Sequence, residues 1–301
     1  MTDIIIIGAG TAGMTAALYA LRNGKSALVL EGDCVGGQIA NSPRVENFPS
    51  IKAISGSEFS DKLFDQITSL GAAFELEKAQ RIEKRPDGTF KVVTDYGEHE
   101  SRAVIIASGA KHKTVGVPRE EELTGRGVSY CAVCDGAFYS GEEVALVGDA
   151  NTALQYSLLL SSYCKKVYVC TWMDRFFGDK ALENSLLEKP NVQWIKNVNL
   201  VGFEGEEELS ACVFKNRADG GRLTLPVKAC FVAIGQKPDN EAFKNVVRLD
   251  KDGYIVAGED CLTGTEGVFA AGDCRVKTVR QLTTAAADGA AAAMAACKYI
   301  G

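Results

Sequence analysis

Six residues near the N-terminus, Gly8-Ala9-Gly10-Thr11-Ala12-Gly13, constrain this chain more than any other feature. They follow an apolar run, Ile4 to Ile7, and lead into Met14 to Arg22, which reads as a helix. A second strand, Ala27 to Leu30, then ends at Glu31. In a β-α-β unit each glycine answers a separate steric demand: Gly8 makes the turn, Gly10 lets backbone approach a pyrophosphate, and Gly13 lets helix pack on strand. The helix N-terminus then faces the phosphates. Glycines at such spacing also occur in plain turns, so placement decides: Glu31, 23 residues beyond Gly8, stands where an acid accepts ribose hydroxyls. The same carboxylate repels a 2′-phosphate, so this unit suits FAD or NAD and not NADP.

A second unit of the same layout begins at Glu143. Val144 to Val147 is its strand, Gly148-Asp149-Ala150-Asn151-Thr152-Ala153 its turn, a helix runs through Leu160, and Val167 to Cys170 is the next strand. The chemistry differs. Ala150 stands where the first turn has Gly10, so a methyl enters the space a pyrophosphate needs, and Asp149 sets a carboxylate beside it. Counting 23 residues from Gly148 reaches Thr171, followed by Trp172 and Met173, so neither a ribose-binding acid nor a phosphate-binding arginine holds that place. The sequence predicts a Rossmann-like packing unit here, with a working nicotinamide site as the alternative.

Between the units lie Gly36-Gly37-Gln38, Val45-Glu46-Asn47-Phe48-Pro49 and a helix near Ser57 to Leu70. Alternating strands follow from Phe74 to Thr94, turned by Pro86-Asp87-Gly88, and then Ala103 to Ala107 runs into Ser108-Gly109-Ala110. Beyond the second unit, Gly267 to Asp273 reads as a buried strand ending in Gly-Asp, and an alanine-rich helix covers about Leu282 to Tyr299. An acid at a strand end can hold a ribityl chain, and a helix N-terminus can stabilise charge on a reduced flavin. The expected fold is α/β, with two Rossmann-like three-layer nucleotide-binding domains, the second inserted in the first. Residues 1–113 and 242–301 form the outer domain and 114–241 the inserted one, with edges where proline and polar residues interrupt the apolar pattern.

Tyr130-Cys131-Ala132-Val133-Cys134-Asp135-Gly136 carries the chemistry. Two thiols at i and i+3 on one helical turn can close a small-ring disulfide, and a nearby helix N-terminus raises the thiolate fraction that exchange requires. Asp135 can pass a proton to the leaving thiolate, although an aspartate at such a place is by default a cap or turn residue. The competing reading of Cys-x-x-Cys is half a zinc site, which would need a second pair or histidines; there is no second pair, and His99 and His112 are the only histidines. The other eight of ten cysteines are scattered singly and read as small buried hydrophobes. A net charge of −6 without a long basic run argues against nucleic acid as the main partner. Ile4 to Ile7 is too short to span a bilayer and no signal peptide is visible, so a cytoplasmic location is expected.

The two Gly-rich turns, Val45 to Pro49, Cys131 to Gly136, Val232-Ala233-Ile234-Gly235 and Gly267 to Asp273 occur in this order. In that ordered set the chain resembles the low-molecular-weight thioredoxin reductases along nearly its whole length. The resemblance implies a homodimer with one FAD per chain, held through Gly8, Gly10, Thr11, Ala12, Gly13, Glu31, Gly37, Gln38, Asn47, Ala107, Gly109, Gly272, Asp273, Arg280, Gln281 and Leu282. It also implies that Cys134 faces the flavin and that Cys131 attacks the disulfide of thioredoxin. That family ordinarily draws electrons from NADPH through G-x-G-x-x-A and a His-Arg-Arg cluster; Ala150 and Thr171-Trp172-Met173 depart from both.

With those departures the chain looks like the ferredoxin-dependent flavin thioredoxin reductases, in which reduced ferredoxin is the donor and no functional NADPH site is expected. Ferredoxins are generally acidic, so docking would need a local basic patch, for which Lys111, Lys113 and Arg119, or Lys165 and Lys166, are candidates. Three alternatives stay open at this point. One is an NADH- or NADPH-dependent reductase of a thioredoxin or peroxiredoxin system. Another is a second flavin stacked on Trp172, and the third a non-catalytic flavoprotein sensor.

Overall fold

The computed structural model describes residues 1–42 and 45–301, with Asn41 described in its backbone only. The chain divides into an outer unit, 1–111 with 237–301, and an inserted unit, 112–236.

The outer unit opens with β1 (Thr2–Ile7), α1 (Thr11–Arg22) and β2 (Ala27–Leu30), followed by α2 (Gly56–Ser69), β3 (Ala73–Glu75), β4 (Ala79–Lys84), β5 (Phe90–Thr94), β6 (Glu98–Ile106) and β7 (Ala110–His112). The inserted unit contains α3 (Glu120–Leu123), β8 (Val128–Ser129), α4 (Ala132–Asp135), β9 (Glu143–Val147), α5 (Asn151–Ser161), β10 (Lys166–Cys170), α6 (Lys180–Leu187), β11 (Val192–Ile195), β12 (Val198–Glu204), β13 (Ala211–Asn216), β14 (Arg222–Pro226) and β15 (Ala229–Val232). The chain returns through β16 (Gln236–Pro238) to β17 (Val268–Ala270) and the long α7 (Leu282–Ile300).

In the outer unit β3, β2, β1, β6 and β17 lie side by side and all parallel, as a β-α-β start requires. The long β6 serves two partners: its second half pairs with β17, and its first half carries the antiparallel β5 and β4. The run of isoleucines in β1 is buried on both faces. Ile4 and Ile6 pack with the alanines of α1 and α7, whereas Ile5 and Ile7 meet Ile82, Phe90 and Phe243 on the other side. Helices α1 and α7 come close because small residues line their contact; a Cβ on Gly289 would sit 2.2 Å from the Ala12 carbonyl oxygen.

The inserted unit repeats the plan. Its five-stranded sheet runs β11-β10-β9-β15-β8, again all parallel, and the antiparallel sheet β12-β13-β14 covers one face through Leu200, Phe203 and Phe214. Helices α5 and α6 cover the other. Residues 237–241, expected in the inserted domain, belong to the outer unit. Asn240 is the reason: its amide nitrogen donates to the carbonyls of Gly253 and Cys274, and its oxygen accepts from Ser108. Seven of the eight cysteines outside the redox motif are buried, and Cys34 is exposed.

Candidate active site

Because β3, β2, β1, β6 and β17 run parallel, as do the five strands of the inserted sheet, the residues that follow them gather at one edge, where open α/β sheets place ligands. In the outer unit that edge carries the turn after β1, Glu31 after β2, Ala107 to Gly109 after β6, and Gly272-Asp273 after β17. The three glycines of the first turn behave differently. Gly8 has φ +110°, and a Cβ there would lie 2.3 Å from the Ala107 carbonyl oxygen. A Cβ on Gly13 would overlap the Gly8 carbonyl oxygen at 1.8 Å. At Gly10 a Cβ would meet only the Gly36 oxygen, at 3.9 Å, so the fold tolerates a side chain that a close ligand would not. No side chain caps α1, which leaves its first amides for another acceptor. Glu31 accepts the amides of Ala9 and Asp33 and keeps lone pairs for hydroxyls.

Asp273 completes this edge. Burial pushes its carboxyl above the ordinary range, with Lys277 and Arg280 pulling the other way, and its Oδ1 is buried without a partner among the described residues. A ribityl hydroxyl would satisfy that oxygen, and the Gly10 face admits a pyrophosphate, so these residues fit FAD. Asn47 and Gln281 meet at 3.1 Å, and Arg280 lies over the ring of Tyr254. Sequence reasoning missed the support beneath Asp273. Asp288 of α7 accepts the Gly272 amide (2.9 Å), Arg275 through both oxygens (2.7 and 2.8 Å) and Lys277 (2.9 Å). Arg275 is 1% exposed. Burial raises the Asp288 carboxyl, but the bonds from Arg275 and Lys277 outweigh it, and the group ends below the ordinary range. A lone acid in an alanine-rich helix was the available signal.

The redox pair sits at the corresponding edge of the inserted unit, directly after β8. Cys131 and Cys134 are joined by a disulfide, Cα to Cα 5.3 Å, and Cys131 is the N-cap of α4. The Cys134 amide donates to Cys131 Sγ at 3.2 Å, a bond that favours negative charge on that sulfur. Asp135 accepts from Ser129 Oγ at 2.6 Å through Oδ2, and its Oδ1 is buried and has no partner among the described residues. Burial raises the Asp135 carboxyl, and the Ser129 bond opposes this in part. Tyr130, just before the pair, donates to Glu120, which is buried and also accepts the amides of Val115, Gly116 and Val117. His112 stacks on Tyr130, and burial pushes its imidazole down to about 4.

The second Gly-rich turn lies on the same edge, after β9. Gly148 packs against Ala233 as Gly8 does against Ala107, and the Phe177 amide donates to the Asp149 carbonyl as the Gly36 amide does to that of Ala9. The scaffolds match, so Ala150 carries the Cβ that Gly10 lacks. Thr171 is buried, bonded to Met173 and to the indole of Trp194, and Trp172 is about half exposed. The structure adds an arginine that counting along the sequence did not find: Arg217 lies 4.2 Å from the Trp172 ring and donates to its carbonyl. Among the basic candidates, Lys111, Arg119 and Lys165 are paired with Asp33, Glu122 and Glu143, and Lys166 lies over Tyr168.

The family model for pyridine nucleotide-disulphide oxidoreductases matches residues 2–289. The chain belongs to that family. Its place within it is with the low-molecular-weight thioredoxin reductases. It is 38% identical to the thioredoxin reductase of Listeria monocytogenes, over 99% of this chain and 93% of the relative. The same identity links it to a 34.2 kDa protein in the rubredoxin operon of Clostridium pasteurianum, over 99% and 97%. The crystal structure of thioredoxin reductase from Streptococcus pyogenes aligns with a TM-score of 0.95 at 35% identity, covering 99% of this chain and 98% of that one. The protein is thus a flavin-dependent disulfide oxidoreductase of the thioredoxin reductase type. Among the described residues no helix is long and apolar enough to cross a membrane.

Proposed function

We propose that the protein is a cytoplasmic, homodimeric thioredoxin reductase that takes its electrons from reduced ferredoxin. The observation that carries the disulfide chemistry is the bonded pair Cys131–Cys134, with an amide on the Cys131 sulfur and a buried carboxyl at Asp135. FAD, when bound, supplies a store that accepts electrons one at a time and passes them on as a pair. Two electrons and two protons turn the disulfide into the Cys131 and Cys134 thiols. Asp135 gives one proton to the departing thiolate and recovers it from solvent. Cys131 gives its proton to solvent and, as thiolate, attacks the thioredoxin disulfide and forms a mixed disulfide, expelling one thioredoxin thiolate that takes up a proton in turn. Cys134 then attacks Cys131 Sγ, which frees the reduced thioredoxin and restores the pair.

The contrast between the two turns supports this donor. The outer cradle is open at Gly10, while the inner one has a methyl at Ala150 and a carboxylate at Asp149, and both act against a pyrophosphate. The name of the Clostridium pasteurianum relative, from a rubredoxin operon, sits well with an iron-protein donor. A second reading, a pyridine nucleotide donor, is favoured by the family's description and by Arg217 beside Trp172. Steady-state thioredoxin reduction separates them. The proposal expects turnover with reduced ferredoxin and background rates with NADPH or NADH, and equal turnover with a nicotinamide nucleotide would refute it.

A further inference from the structure

The hydroxyl of Ser129 stands between the two halves of the redox motif, and its hydrogen has one good destination. A backbone N–H can only donate, so the Cys131 amide, 3.1 Å away, takes a lone pair of Ser129 Oγ. The single hydroxyl proton then points at Asp135 Oδ2, 2.6 Å away, in preference to the Cys131 carbonyl oxygen at 3.5 Å. Asp135 is left with one oxygen fixed as an acceptor and the other, Oδ1, buried and free of partners among the described residues. Ser129 is itself buried at the end of β8, where its backbone is held by pairing with β15.

We propose that Ser129 is the positioning residue of the proton-transfer step: it ties the Asp135 carboxyl to the Cys131 backbone and keeps the transferable proton on Oδ1. This rests on the reading of Asp135 as proton carrier. The titratable groups set against Asp135 are tyrosines, Tyr139 just after α4 and Tyr156 from α5. Both phenols are raised by burial first and then by the Asp135 charge. Tyr163, beyond α5, stands against Gly136. None of these offers Asp135 a cation, and the Ser129 hydroxyl is the partner that favours its ionised form.

The sign follows. Removing the hydroxyl takes a donor from the carboxylate and leaves burial unopposed, so Asp135 stays protonated to higher pH. A proton carrier works in its protonated form, and the alkaline limb of turnover moves up with it.

The test is the pH profile of ferredoxin-driven thioredoxin reduction by the flavin-loaded protein carrying S129A. The isosteric pair S129T and S129V serves as a second comparison that keeps or deletes the hydroxyl at constant volume. S129A and S129V should lower the plateau rate and shift the alkaline limb up by about one pH unit, while S129T keeps the native limb. Flavin bleaching by the donor alone should be unchanged in all three. D135N separates the two layers of the argument. If D135N abolishes the limb and S129A and S129V leave it in place, the assignment of Ser129 is overturned and that of Asp135 stands. If D135N leaves the limb in place, Asp135 is not the carrier and the assignment of Ser129 falls with it.

Discussion

At the scale of single residues, the glycines of the first turn separate what the fold needs from what a ligand needs. Gly13→Ala forces a methyl to within 1.8 Å of the Gly8 carbonyl oxygen, and the protein should fail to fold. Gly10→Ala meets nothing closer than 3.9 Å. The apo-protein should therefore keep its melting temperature while FAD binding weakens roughly 10- to 100-fold, measured by flavin titration. Unchanged FAD affinity in Gly10→Ala would remove Gly10 from the cradle. At the redox pair, Cys131→Ser and Cys134→Ser should each reduce thioredoxin turnover to background while the flavin is still bleached by its donor. The glycines and the cysteine pair are legible in the sequence because each is a demand made by backbone geometry or by covalent chemistry at fixed spacing. Ser129 and Asp288 are not, because their meaning lies in hydrogen bonds that exist only once β8 has met α4 and α7 has met the Gly272 turn.

At the scale of elements, α7 does more than pack. Through Asp288 it holds the Gly272 amide and two buried cations, and so shapes the turn that presents Asp273. Replacing Asp288 by Asn leaves the buried Lys277 without its carboxylate and Arg275 with the exposed Glu259 in place of its two-oxygen partner, and should destabilise the protein by about 3 to 5 kcal/mol at neutral pH. Because the Asp288 carboxyl is held below its ordinary value of 3.8, its contribution is complete above that pH and is lost as the pH falls through the lower folded value. Urea unfolding should therefore show the gap between native and Asp288→Asn protein narrowing only in acid; a gap that narrows toward alkaline pH would contradict the assignment. The elements that position the site are legible in the sequence: β2 spans the Ala27–Leu30 that the pattern predicts, and α1 and α5 follow their Gly-rich turns. The edge of the inserted unit was not. Residues 237–241 carry a proline and polar side chains that look like a linker, and only the buried bonds of Asn240 show which unit owns them.

At the scale of the whole molecule, the same α/β plan is used twice, and the two copies differ in what their edges can accept. One has an open Gly10 face and, among the described residues, an unsatisfied Asp273 oxygen. The other keeps the packing role of Gly148 but has Asp149 and Ala150 at the phosphate position, and gives the rest of its edge to a disulfide. A net charge of −6 opposes an acidic donor at long range. Of the basic residues named as docking candidates, three already face acids. Exposed pairs of this kind are weak, so a donor's carboxylates can compete for them, and donor turnover should fall as salt is raised. The most direct measurement is anaerobic rapid mixing of the oxidised protein with reduced ferredoxin, NADPH or NADH, following the visible flavin band. Bleaching by ferredoxin within a turnover, with the nicotinamides far slower, is the predicted result; bleaching by NADPH at the ferredoxin rate would contradict it.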